Sequence, residues 1–269
     1  MLHRHKRAVP RDSAAKHRYG NETMKKLKEI WKYNRDRFRS LSLLAWVVGV
    51  GIPVLNYLLY LLGDRVAKAM GTAPFEPRIP WLDDIMPFWP VFVIIYLYSY
   101  VFWGKGYACL FYTDKRHRIN TLCAVMTGLF IGFLVLAFFP TFMDRTKYGL
   151  FEKLEGGGLI RFTLQKVYQA DGGDVGPNCL PSFHVLQATY AYLCVRKRPE
   201  ISKGYRIFSA VMVWLVPVST LVLKQHYFLD IVTGAALAIG TYAFFAWLDP
   251  AGRIEKRKLK KPIEDFCNK

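Results

Sequence analysis

Apolar and polar positions are segregated along this chain in long blocks rather than alternating at short range. Residues 40–63, 85–104, 119–143, 175–195, 207–223 and 231–248 contain no Asp, Glu, Lys or Arg, and these runs are 24, 20, 25, 21, 17 and 18 residues long. About 20 apolar residues cross the hydrocarbon layer of a bilayer as a helix. The pattern therefore predicts an all-α, polytopic membrane protein of six transmembrane helices. Buried core helices of a large soluble protein would also give charge-free runs, but six in succession of spanning length favour the membrane. The fourth run is solidly apolar only over Leu180–Val195, and the last two are near the short limit.

Charge adds an orientation. The amino-terminal arm and the segments after the second, fourth and sixth runs hold 13, 4, 5 and 7 basic residues, 29 together, against 9 in the segments on the opposite side. Basic residues are retained in the cytoplasm, so both termini are predicted cytoplasmic. The chain then divides into a basic arm (1–39), a six-helix domain (40–248) and a basic tail (249–269). The formal net charge of +18 excludes nothing alone, but no compact domain interleaves basic and aromatic residues to read a strand, so no nucleic-acid partner is expected. Anionic lipids at the arm account for the charge better. There Leu27, Ile30, Trp31 and Phe38 recur at near-helical spacing, as in a helix lying on the membrane surface, a solvated helix being the alternative.

Other features are read more simply. The first strong apolar segment starts at Leu41 and is long enough to remain as an anchor, so no cleaved signal peptide is expected. The five cysteines lack paired spacing and suggest neither a zinc site nor a required disulfide. Trp81 and Trp89 suit an interfacial belt, and His117, in the basic turn TDKRHR, is expected to be solvated. In the long segment 144–179, LIRFTLQKVY reads as a short amphipathic helix roofing the outer face. The triplet Gly156–Gly158 lacks the remainder of a phosphate loop and reads as a flexible connection.

Three polar clusters fall at membrane boundaries, and the predicted topology sets all of them on the outer side. They are FPTFMDRTKY (139–148), CLPSFHV (179–185) and STLVLKQHYFLDIVTG (219–234). His226 and Asp230 are four apart. On one helical face the carboxylate would hold one imidazole nitrogen and leave the other as a nucleophilic lone pair. A polar pair that stabilises a helix start is the alternative. Pro181 and Ser182 suit a helix start, whose first-turn amides welcome an anion, and His184 one turn in could protonate a leaving oxygen. Two histidines facing each other across a phosphate make a double-displacement set.

Pro181-Ser182-x-His184, followed about forty residues later by Ser219-x6-His226-x3-Asp230, resembles the type 2 phosphatidic acid phosphatase superfamily of lipid phosphate phosphatases and phosphotransferases. The resemblance covers roughly the second half of the chain. It implies a phosphohistidine intermediate on His226, with Asp230 orienting it, His184 as general acid and Ser182 binding phosphate. Phe183 stands where the familiar motif has glycine, and Thr220 stands where it has arginine. Lys224, one helical turn from Thr220, could restore that charge. The first family motif is also altered, with Phe138 at its lysine and Thr146 at its proline, leaving Arg145 as the best phosphate clamp. Lys147 is a weaker phosphate ligand or a surface charge, and Asn178 either contacts substrate or makes a turn. These departures are similar to the branch with inositol phosphorylceramide synthases and sphingomyelin-synthase-like enzymes. The resemblance thus implies a metal-free, cofactor-free enzyme in the plasma membrane, with an outer-leaflet site acting on a phospholipid or other lipid phosphate. Hydrolysis is the default and head-group transfer the alternative. A non-catalytic scaffold or transporter would not require both histidines and the aspartate.

Overall fold

The computed structural model describes residues 24–25, 42–177 and 179–255. The surface-helix residues of the arm, Asn178 and the end of the basic tail lie outside them. Residues 43–255 belong to one compact unit. Its main helices are α1 (Leu43–Ala69), α2 (Pro80–Asp83), α3 (Val93–Cys109), α4 (Lys115–Phe138), α5 (Leu150–Leu154), α6 (Gly158–Ala170), α7 (Phe183–Val195), α8 (Lys203–Val222) and α9 (Phe228–Leu248).

Five of the six charge-free runs map onto one long helix each, because an uninterrupted apolar stretch satisfies its backbone internally wherever it is removed from water. Caps set the boundaries. The Asp114 carboxylate accepts the His117 amide at 2.8 Å to start α4, and Ser202 accepts the Tyr205 amide at 3.4 Å to start α8. Among the described residues, four helices are long and apolar enough to cross a membrane: α1, α4, α8 and α9, the last continuing to Glu255. α3 has 17 residues and α7 only 13.

The fourth run departs most from expectation. Instead of one span over 175–195, its first residues form a strand, β2 (Val175–Pro177), paired antiparallel with β1 (Phe142–Asp144). This small ladder was not foreseen in an all-α reading. It forms because α4 stops at Phe138, before Pro140, which has no amide hydrogen to continue a helix. The last 13 residues of the run make α7, which carries no charge and is buried at 11 positions. A helix of that kind belongs inside a bundle, and α7 packs against α3, α4, α8 and α9. α1 covers α3 and α4 from the other side.

At one end of the bundle, α6 sits against the start of α3, as the amphipathic reading of LIRFTLQKVY predicts. Leu164 and Tyr168 of α6 share a buried cluster with Val93, Tyr96, Leu150, Leu154 and Leu223. At the other end His117 is buried rather than solvated, with Nε2 3.1 Å from the Cys194 carbonyl oxygen and Nδ1 3.4 Å from the Thr121 hydroxyl. Its helical position, three residues past the Asp114 cap, turns it inward against α7, which the basic sequence around it conceals. Trp81 and Trp89 are exposed.

Candidate active site

Two helix starts are held side by side under α6. Ser182 caps α7, its hydroxyl accepting the Val185 amide at 3.4 Å, and the Ser182 amide donates to the Asp230 carbonyl at 3.0 Å in the first turn of α9. The approach is close enough that a Cβ on Gly234 of α9 would lie 2.5 Å from the Ser182 carbonyl oxygen. Only glycine fits there. That contact brings His184, from α7, opposite His226, from the turn before α9, with ring centroids 5.8 Å apart.

The His226–Asp230 pair does not lie on one helical face. α9 begins at Phe228, so His226 is outside it and Asp230 is in its first turn. The Asp230 carboxylate is fully buried. Its Oδ2 accepts the Tyr227 amide at 2.8 Å and lies 3.4 Å from His226 Nδ1. One carboxylate oxygen thus caps the helix and fixes the imidazole, so the two readings of this pair describe the same atoms. This carboxylate engages Nδ1 and not Nε2 of His226. His226 has 10% of its side chain exposed, whereas Asp230 has none.

His184 is set in aromatic rings. It stacks on Tyr96 at 4.3 Å between centroids, meets Trp103 edge-on at 5.2 Å, and has Nε2 3.3 Å from the Tyr100 hydroxyl. Both histidines open onto a cavity of about 400 Å³ between α1, α3 and α6. Phe183, the residue in place of the familiar glycine, lines the cavity too, and its ring reaches α4, where a Cβ on Gly132 would stand 2.5 Å from its Cε1. A glycine one helix away therefore makes the room. Gly132→Val is expected to lower the melting temperature, at a cost of about 1–3 kcal/mol for overpacking, and Phe183→Ala in the same chain should recover much of the loss.

The predicted phosphate ligands are placed less simply. Ser182 is wholly buried and its hydroxyl serves the α7 cap. Arg145 is wholly buried too, and its guanidinium is in use. Nη1 donates to the carbonyls of Asp171 and Gly173 at 3.0 and 2.7 Å, and Nη2 donates to Asp171 Oδ2 at 2.6 Å and Gln225 Oε1 at 2.8 Å. It also lies over the Tyr168 ring at 4.7 Å. Lys224 does not continue α8 one turn beyond Thr220, because the helix ends at Val222 and Lys224 takes a left-handed φ of 49°. Its ammonium donates to the Asp83 carbonyl at 2.8 Å and sits 4.4 Å from the Tyr148 ring centroid. Burial lowers its pKa, with Asp83 and Asp84 acting against that. Lys147 pairs with Glu76 and lies 3.8 Å from Asp144, partly exposed. Thus the structure gathers His184, His226, Asp230 and Ser182, while Arg145 reaches the cavity wall through Gln225 and Asp171, and neither Lys224 nor Lys147 lines the cavity.

Several cavity residues were not singled out from sequence. The Tyr60 hydroxyl donates to Asp171 Oδ1 at 3.0 Å and lies 3.1 Å from the Pro177 carbonyl, tying α1 to the loop. Asn56, Asp171 and Gln225 also line the space. Gln225 could have been suspected as the neighbour of His226; Asn56 and Tyr60 carried no signal, since they lie in an apolar run far from the motif. Donor atoms of Cys179, His226 and Asp230 lie within 4.8 Å of one another. Such a sulfur, nitrogen and oxygen set is of the kind zinc accepts, but Asp230 Oδ2 is already engaged by Tyr227 and His226.

The sequence profile of the PAP2 superfamily matches residues 74–244. The chain belongs to the PAP2 superfamily. The match takes in both histidines, Asp230 and all the candidate phosphate ligands, and begins after α1. No curated protein and no solved structure matches the chain. PAP2 membership points to phosphatase-type or phosphotransferase-type chemistry on lipid phosphates, and with the four apolar helices it is consistent with an integral membrane protein.

Proposed function

We propose that this PAP2 protein is a lipid phosphate phosphatase that works through a phosphohistidine on His226, at the outer leaflet of the plasma membrane. The observation that carries the reading is the facing pair of histidines on one cavity, one of them fixed by a buried carboxylate. Asp230 keeps the proton on His226 Nδ1, so Nε2 presents its lone pair to phosphorus. As that P–N bond forms, the ester P–O bond breaks and His184 gives its proton to the departing alcohol. Water activated by His184 then attacks phosphorus, the P–N bond breaks, and phosphate leaves. The start of α7, whose first-turn amides have no acceptor within the helix, offers donors for the phosphoryl oxygens. Arg145 contributes positive charge through Gln225.

A hydroxyl in place of water would make the same intermediate serve head-group transfer, and the cavity beside the histidines, where Asn56, Tyr60 and Gln225 stand among apolar and aromatic side chains, leaves room for such an acceptor. In the membrane, α3 and α7 supply the two crossings beyond the four long helices, giving six with both termini cytoplasmic. At about 1.5 Å per residue, the 13 residues of α7 cover about 20 Å. Its enclosure by other helices makes that sufficient, since non-helical backbone at membrane depth is tolerated inside protein.

Quenching the protein during turnover of radiolabelled phosphatidic acid should trap an acid-labile, alkali-stable phosphoenzyme, and a failure to trap it in wild type and in slowed variants counts against the histidine nucleophile. His184→Ala should slow phosphate release from an alkyl ester by about 100- to 10,000-fold. In the first-turnover release of the alcohol, before the water step that His184 also serves, the same variant should lose far less on an aryl phosphate, whose leaving group needs no proton. Equal losses on both esters would remove His184 from the acid role.

A further inference from the structure

Tyr96, Tyr100 and Trp103 follow one another at helical spacing on α3, so they share one face of that helix. Aromatic residues so spaced ordinarily pack a core, but this face is turned to His184. The Tyr96 ring stacks on the imidazole with 26° between the planes, Tyr100 meets it edge-on at 5.6 Å, and Trp103 packs against Tyr100 at 4.7 Å. Tyr96 is itself held in place, buried in the cluster that includes Leu164, Tyr168 and Leu223. All three rings line the cavity together with His184.

The two histidines of the site are held by different chemistry. His226 has the buried Asp230 carboxylate at Nδ1. Among the described residues no carboxylate is in ion-pair reach of His184, and the hydroxyl of Tyr100 stands 3.3 Å from its Nε2 instead. That difference suits a group that must give up a proton and take one back. A carboxylate partner favours the charged imidazole and so opposes release of the proton. A neutral hydroxyl orients the ring without that penalty. Removing an imidazolium from water still costs free energy, and the face of Tyr96 offsets part of it, because a cation over an aromatic face is attracted by the ring quadrupole.

We propose that Tyr100 is the positioning residue of the general acid, with the Tyr96 ring supporting the charged imidazole from its face. The Tyr100 hydroxyl accepts a hydrogen bond from Nε2–H of His184, which fixes the tautomer and leaves Nδ1 to carry the proton that is exchanged. In the first step Nδ1–H gives its proton to the departing alcohol oxygen as the P–O bond breaks. In the second, Nδ1 takes a proton from water as the water oxygen attacks phosphorus. The hydrogen on Nε2 stays with Tyr100 throughout. This assignment rests on the reading of His184 as the acid and adds the group that aims it.

Tyr100→Phe keeps the ring and removes the hydroxyl. In full-length protein in nanodiscs, first-turnover release of diacylglycerol from phosphatidic acid is expected to fall about tenfold in this variant, the scale of one hydrogen bond made in the transition state. First-turnover release from an aryl phosphate should stay within about twofold of the parent, since that leaving group needs no proton. In a His184→Ala background the same substitution should change diacylglycerol release by less than about twofold, because groups that act as a unit are not additive. Equal losses on both esters would make Tyr100 a wall of the cavity and overturn the proposal. A loss that persists in full without His184 overturns it too, as does a Tyr100→Phe protein of unchanged melting temperature that loses nothing. His184→Ala, assayed alongside, separates this proposal from the reading beneath it. If that variant loses both esters alike, the acid role itself has failed and the proposal falls with it. A split between the esters in His184→Ala that Tyr100→Phe does not share sinks the proposal alone.

Discussion

Replacing His226 with Ala is expected to lower phosphate release from a lipid phosphate by about a thousandfold or more, the scale seen when the nucleophile of a concerted catalytic set is removed. The structural cost of the change should be small. His226 lies outside α9 and is partly exposed, and the Asp230 carboxylate that holds it retains the Tyr227 amide at 2.8 Å. The cap of α9 therefore survives, and the melting temperature of the variant should be close to that of wild type. Asp230→Asn is the contrasting change. It disturbs the cap and the orientation of the imidazole together, so it should lose both stability and turnover. A His226→Ala protein that folds normally and still releases phosphate within tenfold of the wild-type rate would end the histidine mechanism, whatever the superfamily.

Much of this geometry was legible in the sequence, and for identifiable reasons. Charge-free runs located the helices because the membrane-like setting leaves the backbone no partner other than itself. His184, His226 and Asp230 were readable because their residue types and spacings are chemically unusual at the ends of apolar runs. The partition of the fourth run was not readable. Whether Val175–Pro177 extends a helix or pairs as a strand depends on Phe142–Asp144 lying alongside, a contact made 31 to 35 residues away along the chain. Nor could spacing tell that Lys224 leaves the helix. Its left-handed backbone is a local choice that turns the ammonium to the Asp83 carbonyl. Phe183 illustrates the converse. It looked like a defect in a familiar motif, and its compensation, Gly132, stands on a different helix 51 residues earlier.

Arg145 was the strongest sequence candidate for a phosphate clamp, and the structure gives it another duty that sets a second large effect. Its guanidinium joins the Asp171 carboxylate, two loop carbonyls and Gln225, and it has no exposed surface. Asp171 keeps 29% of its side chain exposed, so removing the guanidinium strands a partly solvated carboxylate together with two loop carbonyls, at a cost of about 1–3 kcal/mol for each acceptor left unpaired in the interior. Arg145→Met should therefore lower the melting temperature sharply and release the loop that carries Asp171. Lysine should not rescue it, because a point charge cannot serve four acceptors that a planar fork reaches at once. Asp171→Asn should cost less, and the double change Arg145→Met with Asp171→Asn should cost less than the sum of the two, since each removes the charge that the other would leave unpaired. Catalysis should fail along with the loop, because Gln225 is the neighbour of His226 and loses the contact that fixes it. A clamp would behave otherwise. If Arg145→Met melts like wild type while the KM for lipid phosphate rises steeply, the guanidinium is spending its charge on substrate, and the hydrogen bonds to the loop are a resting arrangement that substrate displaces.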